Sequence, residues 1–391
     1  MAEELGYVLI TPYSLRKSRT GSIISRLLAR TQLELVAARM FAPSKEMIDE
    51  FTSSIKEVIT EKKEKEKVRD LIVSYMYENC APDPKTGRRN RMLCLLFKGD
   101  KATKRLKDVI GPVRGTIAGE TIRDTYGDYI KDANGGVRYF EPAVFTGVTP
   151  EETEKQLKIL VKYSDKDGGV LDNVIDYGKT VKNVQKTLVL IKPDNFRFPS
   201  GRPGNIIDSF SRTGLFIIGA KLLQMSVEQA EEFYGPVKEI LREKLKSKLA
   251  KTIKNALEEV LSFEINDEVA MKFADDLKDL NAEMQFRQIV RFMTGYDLSK
   301  PISKKEKKAP GKVKCLALVY QGPDAIKKIR EQLGATDPSK AAPATVRKEF
   351  GQNVMENTAH ASDSPQNAER EMRIININDN HFKKMVEEFL K

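Results

Sequence analysis

Apolar and polar positions along the chain fall into a strand, helix, strand rhythm that occurs twice. Gly6 to Leu15 (GYVLITPYSL) alternates around a short apolar core and stops at Pro12. A glycine turn at Gly21 then leads into SIISRLLAR, apolar at helical spacing, and into the strand-like ELVAARMF from Glu34 to Phe41. The same order returns later in TLVLIKPDNF, in NIIDSFSRTG opened by Gly204, and in LFIIGAKLL. The correspondence runs on: VRDLIVSYMY falls on FRQIVRFMTG, RMLCLLFKGDKATKRLKDVIG on VKCLALVYQGPDAIKKIREQLG, and ETIRDTYGDY on ATVRKEFGQN, setting Arg123 against Arg347. Last, FEPAVFTGVTPEETEKQ falls on MENTAHASDSPQNAERE. Strand, helix, strand order alone allows either a doubly wound parallel sheet or an antiparallel sandwich.

The repeat divides the chain into residues 1–161, a polar glycine-containing linker over 162–185, and residues 186–391. Within the linker, LDNVIDYG has the composition to pack against one of the repeats. Between Val237 and Met284 the positions Ile240, Leu241, Leu245, Leu249, Ile253, Leu257 and Leu261 recur at helical spacing, which predicts an inserted helical hairpin or subdomain. PISKKEKKAPGK, Pro301 to Lys312, reads as a mobile lysine-rich loop.

Composition narrows the class. The 391 residues, 40% apolar and 31% charged, suit a soluble chain with ample cores. No apolar run reaches the ~20 residues of a membrane span, and the N-terminus lacks a secretory pattern, so a cytoplasmic location is expected. Three cysteines without metal-ligand spacing read as buried thiols. The net charge of +11 admits a nucleic-acid partner. The lysines are interspersed with glutamates, as in IKEVITEKKEKEKVRD, so solvated helix faces are the default reading.

The candidate chemistry lies in RKEFGQNVMENTAHASDSPQNAERE, Arg347 to Glu371, around His360, one of two histidines. Ser364 and Pro365 predict a helix start, the hydroxyl capping free amides and the proline needing no donor. Glu371, further along that helix, can lie back over the imidazole. A nucleophilic histidine needs that arrangement, with one ring nitrogen tied to an acid and the other carrying the lone pair. The other histidine, His381, sits in the polar run IININDNHFKK and reads as surface. There is no GxxxxGK[ST] loop and no GxGxxG after a strand, so side chains would have to hold any phosphate.

NTAHASDS, preceded by GATDPSKAAPATVRKEFG, resembles the nucleoside diphosphate kinase family, as do TLVLIKPDNF and MSVEQAEEFY, all in the family's order. The resemblance implies an α+β fold: two ferredoxin-like βαββαβ domains in tandem, antiparallel sheets under helices, with a helical insertion in the second over 237–284. It implies His360 as the phosphate carrier in a ping-pong exchange between ATP and nucleoside diphosphates, oriented by Glu371 with Ser362 bonding within the site. Lys192, Arg330, Thr336, Arg347 and Tyr234 would contact phosphates, and Asn357 the sugar. Mg²⁺ would arrive with the nucleotide, with no dedicated metal ligands in the protein. The family's base clamp falls on Gln285 and Ile289, with Phe286 one position on. In the first repeat Phe145, Gln156 and Thr11 stand where the second has His360, Glu371 and Lys192, so residues 1–161 are expected to be an inert copy. Family members assemble through their sheets, so the two copies are expected to pair within the chain, with further homo-oligomers open. A nucleotide-binding scaffold with little turnover is the alternative.

Overall fold

The computed structural model describes residues 3–56, 63–113 and 119–391. Residues 57–62 of the charge run Ile55 to Asp70 lie outside the described residues. The chain folds as two compact units, one of Met1–Leu223 with Leu316–Lys391 and the other Gln224–Cys315. Both runs of the strand, helix, strand rhythm fall in the first unit.

That unit begins with β1 (Glu3–Ile10), the one-turn α1 (Pro12–Arg16), α2 (Thr20–Thr31), β2 (Glu34–Phe41), α3 (Lys45–Lys56) and α4 (Lys63–Asn79). β3 (Met92–Asp100), α5 (Ala102–Ile110), α6 (Ile122–Tyr126), a hairpin of β4 (Asp128–Lys131) and β5 (Val137–Glu141), β6 (Val144–Phe145) and α7 (Pro150–Tyr163) follow. The second run supplies β7 (Val184–Ile191), α8 (Arg202–Ser211) and β8 (Phe216–Leu223). After α9 (Val227–Lys244), α10 (Lys246–Leu261), α11 (Asp267–Thr294) and α12 (Lys304–Lys308) come β9 (Cys315–Pro323), α13 (Ala325–Leu333), α14 (Val346–Phe350), β10 (Ala359–Ala361), α15 (Pro365–Ile374) and α16 (His381–Phe389).

Two four-stranded sheets share one topology. Their orders are β2-β3-β1-β6 and, read from the other edge, β8-β9-β7-β10. β1 runs antiparallel to β3 and β6, and β7 antiparallel to β9 and β10, which removes the doubly wound parallel alternative. The central strands are buried along nearly their whole length because helices cover them, so their sequences read as continuous apolar runs.

Gly21 and Gly204 do not make turns. Both lie in the first turns of helices, α2 and α8, which meet backbone to backbone. A Cβ on Gly21 would stand 2.4 Å from the Asp208 amide nitrogen, and one on Gly204 2.3 Å from the Gly21 carbonyl oxygen. Glycine is required there for close approach rather than for backbone freedom.

Within the linker, LDNVIDYG packs as its composition suggests. Leu171 and Val174 are buried, and the Leu171 N–H donates to the Ile218 carbonyl. His381 is half-buried at the start of α16 rather than on the surface, and burial first, then the Lys221 charge, pull its pKa down. Phe382 of α16 meets Phe41 of β2 edge to face at 5.9 Å, and Lys383 pairs with Asp165 at 2.8 Å. Lys221 on β8 is buried and donates to the Ile375 and Asn376 carbonyls, and burial lowers its pKa to about 8. All three cysteines are buried, Cys80 just after α4 and Cys94 and Cys315 in β3 and β9.

The second unit is built from α9 to α12. Ala250, Ile265, Ala270 and Ala274 form its core with Leu249, Ile253 and Leu257 against them. Small residues let α10 and α11 pack closely, and pairs such as Lys246–Asp275 at 2.6 Å flank the seam. The limits 237 and 284 fall inside α9 and α11, so the helical region is wider than its spacing suggested. Within the stretch expected to be a mobile loop, α12 is closed by a capping box between Ser303 and Glu306, and Lys307 pairs with Glu231 at 3.0 Å. Among the described residues no helix is long and apolar enough to cross a membrane.

Candidate active site

His360 sits at the centre of β10, the edge strand beside β7, opposite Leu190. The strand is entered through Thr358, whose φ of 76° is left-handed and costly for a β-branched residue. Two bonds hold it there: the Thr358 carbonyl accepts from the Lys192 amide at 2.9 Å and from the Asn195 side chain at 2.8 Å. Thr358 is fully buried, and its hydroxyl finds no hydrogen-bond partner among the described residues. Backbone strain of this kind is stored where a neighbouring side chain must be held in a particular place.

The helix after the strand completes the arrangement. The Ser364 hydroxyl accepts from the Asn367 amide at 3.1 Å, Pro365 opens α15, and two turns on Glu371 returns to face β10. Its Oε2 lies 2.9 Å from His360 Nε2 and accepts the Ser362 hydroxyl at 2.6 Å. Arg370 approaches the other oxygen at 3.8 Å. Glu371 is 4% exposed, so its charge acts through little water. A carboxylate at Nε2 fixes the proton on that nitrogen and leaves the lone pair on Nδ1.

Lys192 follows β7 directly and is buried. Its ammonium donates to Asn357 Oδ1 at 2.6 Å and to the Met355 carbonyl at 3.4 Å, and Asn357 donates in turn to the Thr336 carbonyl at 3.1 Å. Thr336 itself is exposed. Arg347 on α14 gives one N–H to the Gly334 carbonyl at 3.0 Å and another to the Ala359 carbonyl at 3.1 Å, next to His360. Arg330 is exposed on the last turn of α13, where its charge helps to lower the Asp363 pKa after the Asn367 hydrogen bond. His360, Ser362, Glu371, Lys192, Asn357, Thr336 and Arg347 are thus tied together through β7 and β10.

Tyr234 and Ile289 belong to the second unit. Tyr234 is buried with its hydroxyl 3.5 Å from Met293 Sδ, and Ile289 is half-buried on α11. Gln285 is half-buried, while Phe286 is buried under the Lys238 ammonium at 5.7 Å, so its ring is committed inside that unit.

Two residues escaped the sequence reading. Asn195 knits the Lys192 turn to Thr358, and Arg202 donates to Asn195 Oδ1 at 2.8 Å and to the Phe350 carbonyl, with Asp194 at 3.6 Å. Burial pushes the Asp194 carboxyl upward against the pull of Lys192 and Arg202. The run PDNFRFPSGR carried the signal, two arginines directly after the lysine turn.

The first sheet holds a matching frame with different contents. Thr11 N–H donates to the Ala143 carbonyl at 3.1 Å, and Ala143 has φ 61°. Arg123 donates to the Gly111 and Val144 carbonyls at 2.8 and 3.1 Å, as Arg347 does to Gly334 and Ala359. Where His360 would stand is Phe145, packed on Tyr75 at 5.9 Å. Gln156 accepts from the Tyr7 hydroxyl. Glu141, 2% exposed and with its pKa raised by burial, accepts from Thr11 Oγ1 at 2.8 Å, the Ala143 amide at 3.0 Å and the Tyr75 hydroxyl. A buried carboxylate at this position repels phosphate.

Comparison with known proteins bears on the second sheet. The family description "Nucleoside diphosphate kinase" matches residues 185–256 and 296–380. A nucleoside diphosphate kinase of Staphylothermus marinus is 30% identical over 193 residues, 49% of this chain and 93% of its own length. One from Symbiobacterium thermophilum is 28% identical over 191 residues, 49% of this chain and 86% of its own. Among solved structures, an NDP kinase from Pyrobaculum aerophilum is 28% identical, with a TM-score of 0.34 over 49% of this chain and 94% of that one.

Proposed function

Because this chain belongs to the nucleoside diphosphate kinase family, we propose that it moves the γ-phosphoryl group of ATP to nucleoside diphosphates through a phosphohistidine at His360. The observation that carries this reading is the His360–Glu371–Ser362 array, a buried carboxylate that fixes Nε2–H on the edge strand β10. Nδ1 attacks the γ-phosphorus, the bond from phosphorus to the β,γ-bridging oxygen breaks, and the diphosphate leaves with that electron pair. Nδ1 keeps the phosphoryl group until a second diphosphate takes it by the reverse step, giving ping-pong kinetics. Glu371 offsets the positive charge that the ring acquires. Ser362 keeps the carboxylate turned toward the ring.

Lys192, Arg330 and Arg347 supply the positive charge, with Thr336 and Asn357 beside them. Binding requires Lys192 to exchange Asn357 Oδ1 for a phosphate oxygen. Mg²⁺ enters with the nucleotide as part of the substrate. On this reading the protein's own share is the positive charge of lysine and arginine. The family resemblance also implies nucleotide contacts for Tyr234 and Ile289.

The first sheet, with Phe145, Gln156, Thr11 and Glu141, is in this reading an inert copy that pairs with the active one through α2 and α8. One observation favours the alternative of a nucleotide-binding scaffold: Phe286 is buried, and Gln285 stands at the base-clamp position. Incubation with ATP and Mg²⁺ should give an acid-labile, alkali-stable phosphate that is absent from His360→Ala, together with ATP-to-GDP exchange. Nucleotide binding without exchange would establish the scaffold instead.

A further inference from the structure

Between the first turn of α2 and the far edge of the second sheet lies a small cleft. Arg91 and Tyr320 line it together with Thr20 and Gly21, and Ser18 marks its exposed mouth. Three features of its chemistry are unbalanced.

Arg91 is 6% exposed, yet among the described residues its guanidinium meets the Ile217 carbonyl and the face of Phe216, 5.1 Å away, and no carboxylate. The titratable groups that act on it are Tyr177 and Arg16, and neither brings a negative charge at neutral pH. Burying a cation without an anion is costly. Tyr320, 2% exposed, has a hydroxyl with no hydrogen-bond partner among the described residues, an orphan donor in the same cleft. The first turn of α2 has no side-chain cap, although Ser22 in that turn donates to Asp208 Oδ1 at 3.1 Å on its exposed side, and it carries the positive end of the helix dipole. A buried positive charge, an orphan hydroxyl and an uncapped helix start are complementary to one thing, a compact anion rich in acceptors.

We propose that this cleft binds a small oxyanion of the phosphate class, held by Arg91, the Tyr320 hydroxyl and the first turn of α2. Its walls come from both sheets' helices and strands, so occupancy would fasten α2 to the β8–β9 edge. The site lies apart from His360 and does not rest on the proposed transfer reaction. Free phosphate and the terminal phosphate of a nucleotide share this chemistry.

The test is thermal unfolding of the full chain with inorganic phosphate, with chloride at matched ionic strength, and with ADP. Phosphate at ten times its dissociation constant should raise the midpoint by about 2 °C beyond chloride. The shift should persist in Lys192→Ala and vanish in Arg91→Gln and in Tyr320→Phe. Tyr320→Phe removes only an orphan hydroxyl, so it should fold at least as stably as the parent without phosphate. A shift seen with ADP alone and lost in Tyr320→Phe would support the site with a nucleotide as the source. A phosphate shift no larger than that of chloride, with none from ADP, or one that survives Tyr320→Phe, would mean that the cleft holds water only and would overturn the proposal.

Discussion

Replacing Glu371 by glutamine isolates the carboxylate from every other feature of the site, because the side chain keeps its length and shape. Glu371 Oε2 receives both the His360 ring N–H, at 2.9 Å, and the Ser362 hydroxyl, at 2.6 Å. A hydrogen bond to a charged group contributes about 1.5–3 kcal/mol more than none. If the amide oxygen takes the place of Oε2, the ring keeps its tautomer and loses only charge stabilisation as phosphorylation begins. The expected loss in kcat is then about 10–150-fold, at ~1.4 kcal/mol per decade. If the amide NH₂ takes that place, Nε2 must accept, the proton moves to Nδ1 and the nucleophile is lost. The deficit then approaches the ~10⁴-fold seen when a carboxylate–imidazole pair is set in the wrong tautomer. Either way the Michaelis constants should change little, since Glu371 is 4% exposed and turned toward the ring. The assay is ATP-to-GDP exchange, with burst labelling of His360 to separate phosphorylation from turnover. A loss below about fivefold, or a change confined to KM, would refute the assigned role.

Three further perturbations follow from packing and charge. Thr358→Gly removes a left-handed β-branched residue and an orphan hydroxyl; it should raise stability by about 1 kcal/mol by calorimetry while lowering exchange activity as β10 loosens. Gly204→Ala places a Cβ 2.3 Å from the Gly21 carbonyl and the Ser25 amide and should cost about 1–3 kcal/mol in urea unfolding; an unchanged midpoint would contradict the close approach of α2 and α8. Lys221 has its pKa lowered to about 8 in the folded state against ~10.4 unfolded, so the unfolded chain binds more protons between those values. Its contribution is a penalty fully present below pH 8 that is relieved as pH rises toward 10, by at most about 3 kcal/mol. Lys221→Met should abolish that rise, and parallel stability profiles for variant and parent would count against it.

What could be read from the sequence was what local rules decide. The α15 start at Ser364-Pro365 and the placing of Glu371 two turns on depend on capping and helical pitch, which the residues state themselves. The three longer strands of each sheet were visible as apolar runs, but the short edge strands β6 and β10 were not, nor was the antiparallel direction, because the order of elements is the same for either sheet type. The β4–β5 hairpin carried its signal in Asp132 to Gly136, where Asn134-Gly135 invites a tight turn, and it was overlooked. The position of α16 could not be read locally. IININDNHFKK is polar, and Phe382 is buried only because β2 of the other sheet lies beneath it. His381 was misplaced for the same reason.

The first sheet supplies a control for the second. Arg123 and Arg347 make the same pair of bonds, to the carbonyl that closes the preceding helix and to the carbonyl just before Phe145 or His360. An arginine that does this beside a phenylalanine is holding a strand, whatever else it does beside a histidine. The left-handed residue and its amide bond to the β1 or β7 turn are likewise present in both, at Ala143 and Thr358. These shared features are scaffold. What differs is the set of charges the scaffold presents: lysine, asparagine, histidine and glutamate in one, threonine, a buried glutamate, phenylalanine and glutamine in the other. In the first sheet Glu141 satisfies Thr11, Tyr75 and the Ala143 amide, so its polar groups need no ligand. Restoring a histidine at Phe145 alone would therefore leave a carboxylate where a phosphate must go. On the proposed reading the two sites therefore differ by more than the nucleophile, because the first also lacks the lysine and holds a carboxylate bonded to Thr11.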